Sequence, residues 1–385
     1  MEIKYFDNAA TTRLDDNLLP ILQKYNTQYF YNPSALSGAS ANVSKDIATA
    51  RENIAQCIGA DSDEITFVSC GTEGDNMAML GCLKTYKGNI VTSRVEHSAV
   101  YNTANFLASK GMEIRYVDLL PDGRADENSL KELVDNNTQY VCLMHVNNET
   151  GAINDIKSLT NIAKSINNKT LFICDGVQAF GKINVNVKNL NVDFYIASGH
   201  KINAPKGIGF VYHKRGIHLT PLIKGGGQES NLRSGTENVP NIIAFSDACT
   251  NSIKNLSLNT AKFEEIKHTI IDIVDKNCAD YYIATKLEYC SPAILPLFFA
   301  NIKTEVLLHM VEKSGFVFGT GSACNSKNKT SRTISALKIK KQFQEGLVRI
   351  SFDKYSTVAD AREFALTLCD CINKLRKILN TPAKR

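Results

Sequence analysis

No stretch of this 385-residue chain approaches the ~18 consecutive apolar residues a helix needs to cross a bilayer, and no membrane association is expected. The opening MEIKYFDNAATT also lacks the basic-then-apolar layout of a secretory signal. The expected location is therefore the cytoplasm. A strong excess of one charge is missing too: 44 basic against 39 acidic residues leave +5, too little to point to nucleic acid. Cysteines spaced as CxxC, or set with histidines at zinc-like intervals, do not occur, so no metal is expected. Neither an internal repeat nor a low-complexity linker interrupts the chain.

What is present is an ordinary globular composition, 43% apolar and 22% charged, in a chain long enough for a large domain and a smaller one. The 11 cysteines are scattered. Cys142 in YVCLM and Cys174 in LFICD sit in apolar runs, as buried strand cysteines do. For ten of the set the bland reading wins; Cys324 is the exception. Behind it Lys327, Lys329, Arg332, Lys338, Lys340 and Lys341 form a local basic excess. That excess reads as a solvated face, with a docking surface for an acidic partner as the second reading.

Apolar periodicity sets the architecture. Val43, Ile47, Ala50, Ile54 and Ile58 recur at helical spacing and Gly59 follows as a stop. ITFVS (65–69), NIVTS (89–93), MEIRYVD (112–118), QYVCLMHV (139–146), TLFICD (170–175), DFYIAS (193–198) and GIGFVYH (207–213) read as strands. Several are continuous apolar runs, as expected of strands covered on both faces. Amphipathic segments such as DNMAMLGCLKTY and DIKSLTNIAKSI separate them, which predicts an α/β fold with a mostly parallel sheet. The pattern changes near 250–260. The predicted division is a large domain over 13–255 and a smaller α+β domain made of 1–12 and 256–385, ending in a helix over about 357–379.

Three places carry chemistry. Lys201 follows directly on the DFYIAS strand, a poor place for a solvated charge and a good one for an amine that forms an imine with an aldehyde. Asp175 ends the TLFICD strand, where it suits the pyridine nitrogen of pyridoxal 5′-phosphate; strand ends are where α/β sheets place ligand groups. Cys70-Gly71-Thr72 lies between a strand and a helix, a natural phosphate cradle, with Ser198 and His200 as further donors. Cys324 sits in Gly321-Ser322-Ala323-Cys324-Asn325-Ser326, small polar company that suits a thiol carried on a loop rather than a core cysteine. Taken singly, a capping aspartate, a surface lysine and an exposed cysteine would look the same.

Taken in order, these runs resemble the cysteine desulfurases, pyridoxal-phosphate enzymes of the fold-type I class. The matching segments are FDNAATT (6–12), NPS (32–34), CGTEGDN (70–76), VEHSAV (95–100), NNETG (147–151), DGVQAFGK (175–182), SGHKINAPKGIGF (198–210), GGGQE (225–229), RSGTENV (233–239), TGSAC (320–324) and VRIS (348–351). The resemblance implies the PLP-dependent transferase fold of type I and conversion of L-cysteine to alanine. It implies that Lys201 holds the cofactor and moves the Cα proton, that Asp175 pairs with the pyridine nitrogen and that Gln178 bonds the ring's phenolic oxygen. His97 would stack on the ring and act as acid and base. Gly71, Thr72, Ser198 and His200 would bind phosphate, Thr236 would reach in from the second subunit of a homodimer, and Asn148 belongs to the same pocket. Asn32 and Arg349 would grip the substrate carboxylate, the arginine bidentately. Cys324 would take the sulfur as a persulfide and pass it to an acceptor protein such as an iron–sulfur scaffold.

The spacing from Cys324 to Arg349 resembles the branch with a long cysteine loop that serves iron–sulfur cluster assembly. Departures from the family pattern are Ser37 for histidine, Cys70 and Asp353 for glycine, and Ala204 for glycine. Competing readings keep the cofactor but change the reaction, to a selenocysteine lyase or an aminotransferase, or leave a silent assembly scaffold. The cysteine in GSAC separates the first group, and Lys201, Asp175, His97, Arg349 and Cys324 together argue against the last.

Overall fold

The computed structural model describes residues 3–321 and 331–379; Cys324, Lys327 and Lys329 lie outside the described residues. The chain opens with β1 (Lys4–Phe6). It then forms β2 (Ile65–Val68), β3 (Asn89–Ser93), β4 (Glu113–Val117), β5 (Thr138–Met144), β6 (Leu171–Asp175), β7 (Phe194–Ser198) and β8 (Gly209–His213). The last seven make one sheet in the order β2-β8-β7-β6-β5-β3-β4. All neighbours run parallel except those of β8, which is antiparallel to both β2 and β7. These strands are the runs read from the sequence; β2, β3, β7 and β8 are buried throughout, as strands covered on both faces are, while the edge strand β4 is partly open. Parallel pairing brings the carboxyl ends of β6 and β7 side by side, with Asp175 opposite Ile196.

Helices cover the sheet. Gly38–Cys57 starts on Ser37, whose hydroxyl accepts the Ser40 N–H, and buries Val43, Ile47, Ala50 and Ile54. The serine that replaces the family's histidine thus has a capping role here. A helix runs from Gly71 to Gly81, four residues ahead of the expected DNMAMLGCLKTY start. The reason is local: Cys70 is extended and acts as the cap, so Gly71 and Thr72 open the first turn instead of lying in a preceding loop. At the other end Val239–Lys254 and Leu256–Asn277 abut at Asn255.

Beyond them come β9 (Tyr281–Tyr282), β10 (Ile294–Phe299), β11 (Phe316–Phe318) and β12 (Leu347–Ser351), then the helix Val358–Ile378. β10 sits between β12 and β9, while β1 pairs in parallel with β11. Buried apolar residues gather accordingly. One cluster joins Phe6 to residues from Phe263 to Leu375, while Leu18, Val43 and others up to Cys249 form another around the seven-stranded sheet. Ala9 packs with Val146, Ala179 and Ile294 between them. Among the described residues, no helix is long and apolar enough to cross a membrane.

Candidate active site

The carboxyl ends of β2, β5, β6 and β7 converge on one cavity of about 360 Å³. Asp175 and Ser198 reach it as the last residues of fully buried strands, and a one-turn 3₁₀ segment, Gly199–Lys201, carries the lysine to its wall. Gly71, Thr72 and His97 line a second side, Asn148 and Arg349 a third, with Gln178 and His200 between. Ten of the residues singled out from the sequence are thereby brought together from six separate segments. Two are not. Asn32 is exposed, its side-chain oxygen accepting the Ser34 N–H at 2.9 Å, and Thr236 is exposed outside the cavity wall.

Lys201 Nζ donates to the carbonyl oxygens of Ala9 and Ala10, both at 2.6 Å. Burial, followed by the nearby Arg349 charge, pulls its amine down to about 8. Asp175 accepts the Val177 N–H at 2.9 Å; burial raises its carboxyl, opposed by His97 and Lys201. His97 caps the helix Ser98–Ser109, its Nδ1 accepting the Ala99 N–H at 3.2 Å, which leaves Nε2 as the free ring nitrogen. His200 bonds Thr11 Oγ1 at 3.1 Å and is pushed down to about 4, first by burial and then by Lys201. Arg349 donates to Asp7 Oδ1 at 2.6 Å and to the Asn148 carbonyl at 2.9 Å, while its buried Nε has no partner.

Asp75 and Asp7 escaped sequence reasoning, whereas Glu96 stands beside His97 in the candidate run directly after the NIVTS strand. Asp75 is buried in the cavity wall with Oδ1 unpartnered, and burial raises its carboxyl well above the usual range. Glu96 behind it is raised to about 8 for the same reason. Both lie inside quoted runs, CGTEGDN and VEHSAV, and within its polar run nothing local set Asp75 apart. Asp7 and the Ala9 and Ala10 carbonyls come from FDNAATT, far away in sequence. Cys70, the first residue of the expected phosphate cradle, is half-buried and lines the cavity. Arg332 is not part of a solvated face. It stacks 3.7 Å over the Tyr101 ring and reaches Ser98 Oγ at 3.3 Å; Lys340 and Lys341 are exposed as expected.

The glycine-rich motifs hold this wall from outside. Glu229 of GGGQE binds both terminal nitrogens of Arg51 at 2.7 Å and accepts the Phe67 N–H of β2. Arg233 of RSGTENV donates to Glu73 at 2.9 Å, and despite burial this contact and Ser69 hold the Glu73 carboxyl below its usual value.

The aminotransferase class-V family model matches residues 4–364. A cysteine desulfurase of Nostoc is 33% identical over 381 residues, spanning 98% of this chain and 95% of its own. The chain belongs to the cysteine desulfurases of the class-V aminotransferase family. The cysteine desulfurase IscS of Dictyoglomus turgidum is 36% identical over 378 residues, with 97% and 95% covered. Among solved structures, a NifS-like protein superimposes with a TM-score of 0.91 at 32% identity, covering 97% of this chain and 100% of its own. A NifS-like protein from Rickettsia africae gives 0.87 at 28%, covering 97% and 100%.

Cysteine desulfurases work with pyridoxal 5′-phosphate, and the cavity fits that group. The Ser198 hydroxyl is buried without a partner, a costly arrangement unless a ligand completes it. Cys70 offers no side-chain cap to the helix at Gly71, so its first N–H groups remain for an anion. A Cβ on Gly71 would stand 2.7 Å from Val177 Cγ2, so a side chain there would have to displace Val177. A buried carboxylate and a lysine held near neutrality complete the set this cofactor requires.

Proposed function

We propose that this protein takes sulfur from L-cysteine, receives it on Cys324 as a persulfide and delivers it to a protein acceptor such as an iron–sulfur scaffold, leaving alanine. The observation that carries this reading is the meeting of the Lys201 amine, the Asp175 carboxylate, the unpartnered Ser198 hydroxyl and Arg349 in one cavity. Bound pyridoxal 5′-phosphate supplies an aldehyde that holds the amino acid and a ring that takes up negative charge from Cα. Lys201 anchors the cofactor and, once released, accepts the Cα proton at Nζ. Asp175 keeps the ring nitrogen protonated, and Gln178 donates to the ring oxygen. Thr72, Ser198, His200 and the N–H groups from Gly71 hold the phosphate, with Asn148 beside them. Arg349, its fork steadied by Asp7 and the Asn148 carbonyl, receives the substrate carboxylate.

His97 exchanges a proton with the substrate sulfur through Nε2. The Cys324 thiolate then attacks that sulfur: an S–S bond forms, the Cβ–S bond breaks with its electron pair on carbon, and protonation of that carbon gives alanine. Cysteine plus thiol become alanine plus persulfide, and no oxidant is consumed.

The working form on this reading is a cytoplasmic homodimer. Phe30, Leu36, Leu222 and Ile223 present large apolar side chains to solvent, as residues covered by a second copy would, and Thr236 and Asn32 lie on the segments that would cross to the partner's cavity. Residues 13–255 form the cofactor domain, with 1–12 and 256–385 as the smaller one. The test is the visible spectrum of the holoenzyme before and after L-cysteine, with alanine quantified. A band that shifts with cysteine, and alanine formed only when Cys324 is present, is expected. Alanine at the normal rate from Cys324→Ala would remove the persulfide step.

A further inference from the structure

Lys182 ends the run DGVQAFGK, and nothing in the proposed reaction uses it. Its side chain is 7% exposed. A lysine buried this deeply ordinarily faces a carboxylate. Here burial, then the like charges of Lys201 and Arg349, weigh on the amine, and Asp353 opposes them. An apolar side chain of the same length would suit these surroundings better. The polar partner Lys182 does have is the Gln178 side-chain oxygen, 3.1 Å from Nζ.

That contact decides how the Gln178 amide is turned. Nζ donates, so the amide atom facing it is the oxygen; an NH₂ group there would set donor against donor. Nε2 therefore faces the other way and gives one hydrogen to the Ala9 carbonyl at 2.8 Å. The same carbonyl accepts Lys201 Nζ at 2.6 Å. The amide has a second N–H, and Gln178 stands in the cavity wall. Lys182 Nζ, Gln178, Ala9 and Lys201 thus form one chain of contacts. Its outer end, Lys182, borders a second cavity of about 250 Å³.

We propose that Lys182 is a positioning residue that locks the Gln178 amide with its N–H side toward the cofactor's ring oxygen. The proposal rests on the pyridoxal-phosphate reading of the cavity. Without Lys182 only the Ala9 carbonyl, which Lys201 also occupies, holds the amide in this sense, and the ring oxygen faces an acceptor for part of the time. A hydrogen bond to that oxygen favours its deprotonated form, so losing the donor moves the protonation midpoint of the bound cofactor upward.

The experiment is a double-mutant cycle on holoenzyme reconstituted with pyridoxal 5′-phosphate: wild type, Lys182→Met, Gln178→Ala and the double variant. The visible absorbance is titrated from neutral to alkaline pH, and the Tm of each apoprotein is recorded. Each single variant is expected to raise the midpoint by about half a unit, roughly threefold in the protonation constant. The double variant should move no further, because both changes remove one contact. An unmoved midpoint in Lys182→Met would show that Lys182 has no influence on the ring oxygen, and shifts that add in the double variant would make it a through-space charge; either overturns the proposal. If Lys182→Met does not fold, Lys182→Leu replaces it in the cycle; failure of both to fold would make the residue purely structural and equally overturn it. Absence of a visible band in the reconstituted wild type would overturn the cofactor reading instead, and that outcome is read before any variant is compared.

Discussion

Lys201 stands in the wall of two cavities of comparable size, about 360 Å³ and about 250 Å³, and their polar groups are in opposite states. In the smaller one the groups satisfy each other. Asp353 accepts from Asn203 at 2.8 Å and from the Tyr355 N–H at 2.9 Å, and Asp15 is paired with Lys354. In the larger one Ser198 Oγ, Asp75 Oδ1 and Arg349 Nε are buried and unpartnered. Between these two cavities volume does not mark the ligand site; buried polarity left without a partner does, because a ligand removes its cost.

The comparison is most exposed to failure at Lys201 itself. Lys201→Ala is expected to lose the visible band and to lower turnover by about 10³-fold or more. A normal band in that variant would mean that another amine holds the cofactor, with Lys182 the first to inspect. Next in size, Asp175→Asn keeps the fold but lowers turnover by about 10²-fold, since a neutral amide cannot hold the ring nitrogen protonated; turnover close to wild type would return Asp175 to a mere turn-former at the end of β6. Arg349→Lys is expected to raise KM for cysteine about tenfold with a smaller change in kcat, the pattern of a lost two-pronged carboxylate contact. A fall in kcat alone would place Arg349 elsewhere in the mechanism.

A pH profile sharpens the same contrast. The attacking form of Lys201 is the neutral amine, and its amine is held at about 8 rather than the usual 10.5. The rate of cofactor uptake by the apoprotein should therefore rise with pH, level off just above about 8 and stay flat beyond; a rise that continues to the ordinary lysine range would show that burial does not tune this amine. The smallest effect belongs to the smaller cavity. Ser252→Ala in its wall should leave turnover within about twofold and stability within about 0.5 kcal/mol, and a collapse of activity there would erase the distinction between the two cavities.

Legibility followed the range of the interactions involved. The strand runs were readable because a strand covered on both faces must be apolar throughout, and their ends marked Asp175, Ser198 and Lys201. The amphipathic spacing of Val43 to Ile58 fixed a helix and its buried face. The first turn at Gly71 was misjudged because a cap depends on one residue's backbone, which periodicity does not encode. The Cys70-Gly71-Thr72 cradle was legible because a strand-to-helix turn exposes N–H groups, and all three residues line the cavity. Arg332 was taken for a solvated charge because an aromatic partner as distant in sequence as Tyr101 leaves no local trace.

The sequence by itself determined the α/β layout, the family and the set of reactive groups, since these depend on local composition and on motifs. Only the tertiary structure decided which of those groups meet. It brought the Ala9 and Ala10 carbonyls onto Lys201 and Asp7 onto Arg349, left Asn32 and Thr236 outside the cavity of their own chain, and turned the Gln178 amide through Lys182. Contacts of this kind join segments more than a hundred residues apart or turn on one buried donor. Packing and hydrogen-bond geometry, not periodicity, settle them.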